Sequence, residues 1–188
     1  MHNKQRIFKL VDELLITPGT KIIAVDGNSG AGKTFLGSLL AERYDCNLFH
    51  MDDYYLPPEK KTDARLAEAG GNVDRERFQE EVLDNIPLGV DFSYRKYDCR
   101  SQSYYPPTLV SPKNLNVVEG AYSMHPDLAP YYDLKLFLSL DEAEQSRRIL
   151  KRNGALVHKR FLEVWIPLEN HYFETLKIRE NCDYVFTG

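Results

Sequence analysis

Apolar positions recur along this chain with two distinct periods. Near the start, Ile7, Leu10, Val11, Leu14 and Leu15 fall three and four apart. That spacing stacks side chains on one helical face, so MHNKQRIFKLVDELL predicts an amphipathic helix. Pro18-Gly19 then predicts a turn. Short apolar runs predict buried strands at Lys21–Val25, Asn47–Met51, Leu115–Val118, Leu134–Leu140 and Tyr184–Phe186. Between them lie helical patterns. One runs from Phe35 to Tyr44, and one is capped by Asp74 and runs to about Asn85. Another starts from the capping-box-like Asp141-Glu-Ala-Glu144, and a long one covers Phe161–Ile178. Pro57–Gly71 is polar and broken by Pro57-Pro58 and Gly70-Gly71, while the tyrosine-rich Val90–Tyr105 predicts a hairpin or short strands. Strands alternating with helices predict an α/β fold, a mainly parallel sheet covered by helices on both faces. With 188 residues, residues 1–188 are expected to form one domain.

Composition narrows the function classes. A net charge of −4 provides no basic field for nucleic acid. No apolar run approaches the roughly 20 residues that span a bilayer, so a membrane is not expected as a partner. The N-terminus lacks a signal-peptide core. Cys46, Cys99 and Cys182 are odd in number and scattered. They predict neither a disulfide framework nor a zinc site, and they fit a reducing cytoplasm. A homo-oligomer is left open. His2, His125, His158 and His171 lack metal-ligand spacing, and His50 reads as packing. Trp165, Ile166, Leu168 and Tyr172 read as a core stripe, and the charges from Glu76 to Glu81 as a solvated helix face.

The sharpest chemical signal is Gly27-Asn28-Ser29-Gly30-Ala31-Gly32-Lys33-Thr34, which matches G-x-x-x-x-G-K-[ST] at every position. It follows an apolar strand and opens a helix, the context that gives the motif its meaning. Glycines let the backbone curl so that its N–H groups face phosphate oxygens. The helix that follows offers its positive end to the same anion. Lys33 is expected at the β- and γ-phosphates and Thr34 at Mg²⁺, so ATP and Mg²⁺ are the implied ligands.

Two acidic strand ends accompany that loop. His50-Met-Asp52-Asp53-Tyr-Tyr55 closes the second strand, on the edge where doubly wound sheets bind ligands. An aspartate there can accept a hydroxyl proton close to the metal. Val117-Val118-Glu119-Gly120 ends the next core strand on the same edge, a Walker B-like element with Glu119 as a water-mediated metal residue. Tyr54, Tyr55, Tyr94, Tyr97, Tyr104 and Tyr105 crowd the same side, as base-stacking platforms or as strand residues.

In their order GNSGAGKT, MDDYYLP, GGNVDRERF, YDCRSQSY, VVEGAYSMHPDL, and LKLFLSL with its Arg-rich helix, these segments resemble the uridine kinase-like branch of the P-loop kinases, over about Lys21 to Val185. The branch includes nicotinamide riboside kinases and is related to phosphoribulokinase and bacterial pantothenate kinases. The resemblance implies a P-loop NTP hydrolase fold with a small lid (about 153–160) and an acceptor-side insertion (about 54–105) carrying a hairpin. It implies that Asp52 is the general base and a metal neighbour, with Thr34 and Glu119 at the same Mg²⁺. Tyr55 would line the acceptor pocket and Asp74 hold ribose hydroxyls. Tyr97 and Asp98 would lie in the hairpin over a base, and Arg148 and Arg152 on the helix that reaches the transferring phosphate. Two departures stand out. Gln102 occupies the place of a pyrimidine-contacting histidine, and the lid has few arginines, with Lys159 and Arg160 as substitutes. The function implied is ATP-dependent transfer of the γ-phosphate to a nucleoside 5′-hydroxyl, of uridine or cytidine. Alternatives are a kinase of pantothenate, a sugar or ribulose phosphate, and a nucleotide-binding regulator without kinase activity.

Overall fold

The computed structural model describes residues 2–187. In chain order its elements are α1 (His2–Ile16), β1 (Lys21–Gly27), α2 (Lys33–Arg43), β2 (Cys46–His50), α3 (Asp63–Ala67), α4 (Arg75–Phe78), β3 (Phe92–Tyr94), β4 (Tyr97–Asp98), β5 (Ser103–Tyr104), β6 (Thr108–Val110), β7 (Leu115–Glu119), β8 (Leu134–Ser139), α5 (Glu142–Arg160), α6 (Ile166–Thr175) and β9 (Tyr184–Thr187). Among the described residues, no helix is long and apolar enough to cross a membrane.

Five strands form one parallel sheet in the order β2-β7-β1-β8-β9. Alternate side chains of β1 point to opposite faces, and each face has its own core. Ile22 and Ala24 join Phe49, Val118 and Phe137, covered by Phe78, Val82, Tyr172 and Phe173. Ile23 and Val25 join Val117, Leu136 and Leu138, covered by Leu36 and Leu40 of α2 and by Ile7 and Val11 of α1. The predicted N-terminal helix is thus part of the second core layer. From β1 the chain passes to β2, leaving a gap that β7 fills, and β8 lands on the other side of β1. That reversal opens a crevice at the carboxyl end of β1, and the site lies there.

Several expected elements differ in detail. The helix capped by Asp74 is only α4 followed by a π-turn, Gln79–Leu83. In the charge run Glu76–Glu81, which begins inside α4, Arg77 is buried rather than solvated. Val90–Tyr105, expected as a hairpin or short strands, holds the short strands β3, β4 and β5; β4 pairs with β5 inside a second antiparallel pair, β3 with β6, which extends beyond that segment. The lid is helical: α5 breaks at Gly154 (φ 76°, ψ 169°) and continues through a π-turn, Phe161–Trp165, directly into α6.

Candidate active site

The phosphate loop is moored at both ends. Gly27 ends β1 at φ 131°, where an added Cβ would sit 2.1 Å from the Leu138 carbonyl oxygen, so only glycine fits against β8. The Asn28 N–H donates to that carbonyl (3.1 Å), and the Asn28 side-chain oxygen accepts from the Leu140 N–H (3.1 Å). At the far end Gly32 takes a left-handed conformation as N-cap of α2 and supplies no side-chain cap. The first N–H groups of α2 are therefore left for an anion, and the loop fits a nucleotide's phosphates. Lys33 is buried and donates from Nζ to the carbonyls of Gly27 (2.6 Å) and Asn28 (3.1 Å), which holds its charge over the cradle.

Beside the loop, parallel pairing of β2 with β7 sets His50 opposite Glu119. Glu119 is 4% exposed and bridges two groups. Its Oε2 accepts from Thr34 Oγ1 (3.3 Å), and its Oε1 lies 2.5 Å from His50 Nδ1. The hydrogen bond to Glu119 raises the His50 pKa above its ordinary range, against the opposing effect of burial. His50 is thus an electrostatic partner of Glu119, not the packing residue expected. The described residues hold no cluster of three or more His, Cys, Asp or Glu side chains fit to hold a metal. A hydroxyl and one carboxylate suit Mg²⁺, which keeps several waters and takes phosphate oxygens as ligands.

Met51–Tyr54 is a short 3₁₀ turn, not the strand extension expected at Met51. Asp52 faces the cleft and accepts from the Tyr55 hydroxyl (3.2 Å). Asp52 is exposed to solvent, yet the crowding of neighbouring atoms raises its pKa; Lys33 opposes that, and Glu119 and Asp53 add to it. Asp53 turns away and pairs with Lys96 (3.0 Å). Arg148 reaches the loop, donating to the Gly30 carbonyl (3.4 Å) while held by Glu144 (2.6 Å). Arg152 stays exposed in the lid, bonded to Asn153 (2.7 Å) and 5.9 Å from the Phe161 ring centroid.

The acceptor side departs further from expectation. Asp74 is 1% exposed, and both its oxygens are engaged. Oδ1 caps α4 by accepting from the Arg77 N–H (3.4 Å), and Oδ2 accepts from Lys60 Nζ (2.8 Å). Tyr97 is buried against Tyr104, 5.2 Å between centroids, and Gln102 is an exposed turn residue at φ 52°. Asp98 organises that turn, accepting from Arg100 N–H (2.8 Å) and Ser101 Oγ (2.9 Å). Tyr54 and Tyr94 are core residues, stacked 6.3 Å apart.

No protein-family model matches this chain, and no curated protein matches it in sequence. Solved structures do. A Bacillus stearothermophilus protein described as a possible uridine kinase superposes with a TM-score of 0.74 at 21% identity, over 99% of this chain and 100% of that one. A Silicibacter sp. TM1040 protein provisionally named a fructose transport system kinase gives 0.69 at 20%, over 90% and 91%. The YGR205w protein gives 0.61 at 16%, over 99% and 91%. The chain shares their α/β fold, a P-loop NTP hydrolase fold. At these identities the likeness to uridine kinase-like structures is one of architecture.

Within this fold, two buried carboxylates at the loop had no place in the sequence-based site. Asp26, the residue before Gly27, is fully buried and accepts from Gly27 N–H (2.7 Å), Met124 N–H (3.0 Å) and Tyr172 Oη (2.9 Å). Burial pushes its pKa up to about 6, against the pull of Lys33. A charged residue closing an apolar strand was a visible signal. Glu169 of α6, 5% exposed, accepts from Ser29 N–H (3.0 Å) and Ser29 Oγ (2.5 Å). Its spacing three residues before Tyr172 on the core stripe was also visible, but nothing in sequence linked it to the loop. Of the expected core stripe only Tyr172 is buried, and its hydroxyl contacts Asp26 as well; Trp165, Ile166 and Leu168 are half-buried, because that part of the helix lies over the surface rather than the sheet.

Proposed function

We propose that this chain is an ATP-dependent kinase that transfers the γ-phosphoryl group to a hydroxyl of a small molecule. The observation that carries the reading is one crevice holding both a complete phosphate cradle and the cleft-facing carboxylate of Asp52. A protein that only senses nucleotide has no use for a second carboxylate beside the phosphate loop.

The loop N–H groups and Lys33 would bind and orient the phosphates of ATP. Thr34 and Glu119 would hold Mg²⁺, which when bound neutralises phosphate charge. Arg148 lies at the Gly30 end of the loop, suited to charge that develops during transfer. Asp52 accepts the acceptor's proton as its oxygen bonds to phosphorus and the bond to the ADP oxygen breaks. Tyr55, by donating to Asp52, keeps that carboxylate aimed at the cleft.

A nucleoside 5′-hydroxyl is the acceptor that the sequence resemblance supports. A second reading, favoured by the Lys60–Asp74 pair, is a non-nucleoside alcohol. Both Asp74 oxygens are already bonded, and the half-exposed Lys60 ammonium offers its remaining donors on that side. An ammonium suits a carboxylate or phosphate substituent better than a diol.

The deciding experiment measures ADP release from Mg·ATP with and without an acceptor panel: ribonucleosides, 2′-deoxyribonucleosides, pantothenate, sugars and sugar phosphates. Release that depends on an acceptor, with a phosphorylated product by mass spectrometry, is expected. A preference for ribonucleosides supports the first acceptor class, and activity confined to anionic alcohols supports the second. Acceptor-independent release, or none at all, sinks the kinase reading.

A further inference from the structure

We propose that Glu169 is a positioning residue for phosphoryl transfer, fixing the third residue of the phosphate loop. The inference rests on the kinase reading above and adds a residue from outside the loop motif and the acidic strand ends. One carboxylate takes both donors of one residue: Oε2 from the Ser29 N–H at 3.0 Å and Oε1 from the Ser29 hydroxyl at 2.5 Å. A two-point grip of this kind sets the peptide plane before Ser29 and its side-chain rotamer together. Glu169 is 5% exposed, so water competes poorly for it.

Its position decides which end of the loop it serves. The helix start, Lys33 and Thr34, anchors the loop from one side. Ser29 is on the opposite limb, and Glu169 lies within electrostatic reach of both Lys33 and Asp52. One turn further along α6, Tyr172 donates to Asp26, which itself accepts the Gly27 N–H. Asn28 is tied to β8. Residues 27, 28 and 29 are thus each held by a different contact. Both Ser29 donors are spent on Glu169, so its contribution is geometric. A loop displaced by 1 Å at a reacting phosphoryl group loses about a hundredfold in rate.

The test is a double-mutant cycle on Glu169→Ala and Ser29→Ala, with Glu169→Gln as the conservative variant. It reads kcat at saturating Mg·ATP, the affinities for ADP and for a non-hydrolysable ATP analogue, and Tm. Each single alanine variant should lose about ten- to a hundredfold in kcat. Analogue affinity should fall by about tenfold while ADP affinity stays within about threefold, and the double variant should be no worse than the worse single one. Glu169→Gln, whose amide oxygen can accept only one of the two bonds well, should fall between. Losses that multiply in the double variant, equal losses for ADP and analogue, or a drop in Tm with kcat within twofold would each overturn the assignment. If Glu169→Ala does not fold, Ser29→Ala and Glu169→Gln carry the same comparison. If the wild type transfers to no acceptor, the kinase reading fails by itself, while the analogue-to-ADP ratio still decides whether Glu169 sets the loop.

Discussion

Asp52 and Asp53 are neighbours in sequence with different company. Adjacent residues of a 3₁₀ turn diverge by about 120°, so Asp52 meets the cleft and Asp53 meets Lys96. An extended backbone would have separated them too, but the observed separation comes from the turn. Asp52→Asn should reduce kcat by about 10²–10⁴-fold, the range for losing a general base, with ATP affinity little changed. Asp53→Asn should keep most of its rate and lose stability through Lys96. Measuring kcat and ATP affinity for both variants side by side tests this, and near-wild-type turnover in Asp52→Asn would move the base elsewhere. Lys33→Ala should keep its fold and nearly abolish transfer, since a charged hydrogen bond contributes about 1.5–3 kcal/mol in binding alone. A circular dichroism spectrum beside a rate assay checks both halves of that statement. At this scale the sequence was explicit wherever chemistry is local. The loop motif singles out Gly27 through Thr34, and the acidic strand end singles out Asp52 as the candidate base. It was silent about Lys60, because nothing in the chain said that a lysine fourteen residues earlier would occupy Asp74.

Among the elements, α5 is the one whose start was written most plainly. Asp141 accepts from the Glu144 N–H at 2.9 Å, the cap that its sequence predicts. Asp141→Ala should cost about 1 kcal/mol, read as a lower urea midpoint with an unchanged m-value. The junction of β1 with the loop is less forgiving. Gly27→Ala would drive a Cβ to 2.1 Å from backbone, not from a side chain that could yield. That variant should fail to bind ADP and lose several kcal/mol or not fold, as checked by expression of soluble protein and a thermal melt. Elements with strong periodicity came out within a residue or two, because burial on one or both faces dictates them. The lid helix and the nested hairpins did not. The break at Gly154 depends on a backbone conformation, and β6 depends on a partner, β3, more than ten residues away.

For the whole molecule, ligand and proton binding should both register as stability. On the kinase reading, saturating Mg·ADP should stabilise the folded state by about 2.7 kcal/mol at a hundredfold excess over Kd. A Tm rise that vanishes with EDTA and in Lys33→Ala is expected, and a rise that survives both would point to binding elsewhere. Asp26 adds a pH signature. Its pKa is about 6 in the fold against an ordinary 3.8, so between those values the folded state binds more protons than the unfolded one. Stability from this residue therefore falls as pH rises from about 4 to about 6, and the cost persists above. Chemical denaturation across that interval should show a flatter pH profile for Asp26→Asn than for the wild type, while an identical slope would remove Asp26 as the cause. The sequence by itself determined the strand–helix alternation, the two-faced sheet and the phosphate loop, because each follows from periodicity or from a motif contiguous in the chain. Only the tertiary structure decided the company each site residue keeps. Glu169 on Ser29, His50 on Glu119 and Lys60 on Asp74 are contacts between segments that are distant in sequence, or whose spacing carries no motif. They exist because parallel strand pairing and helix packing bring those backbones together.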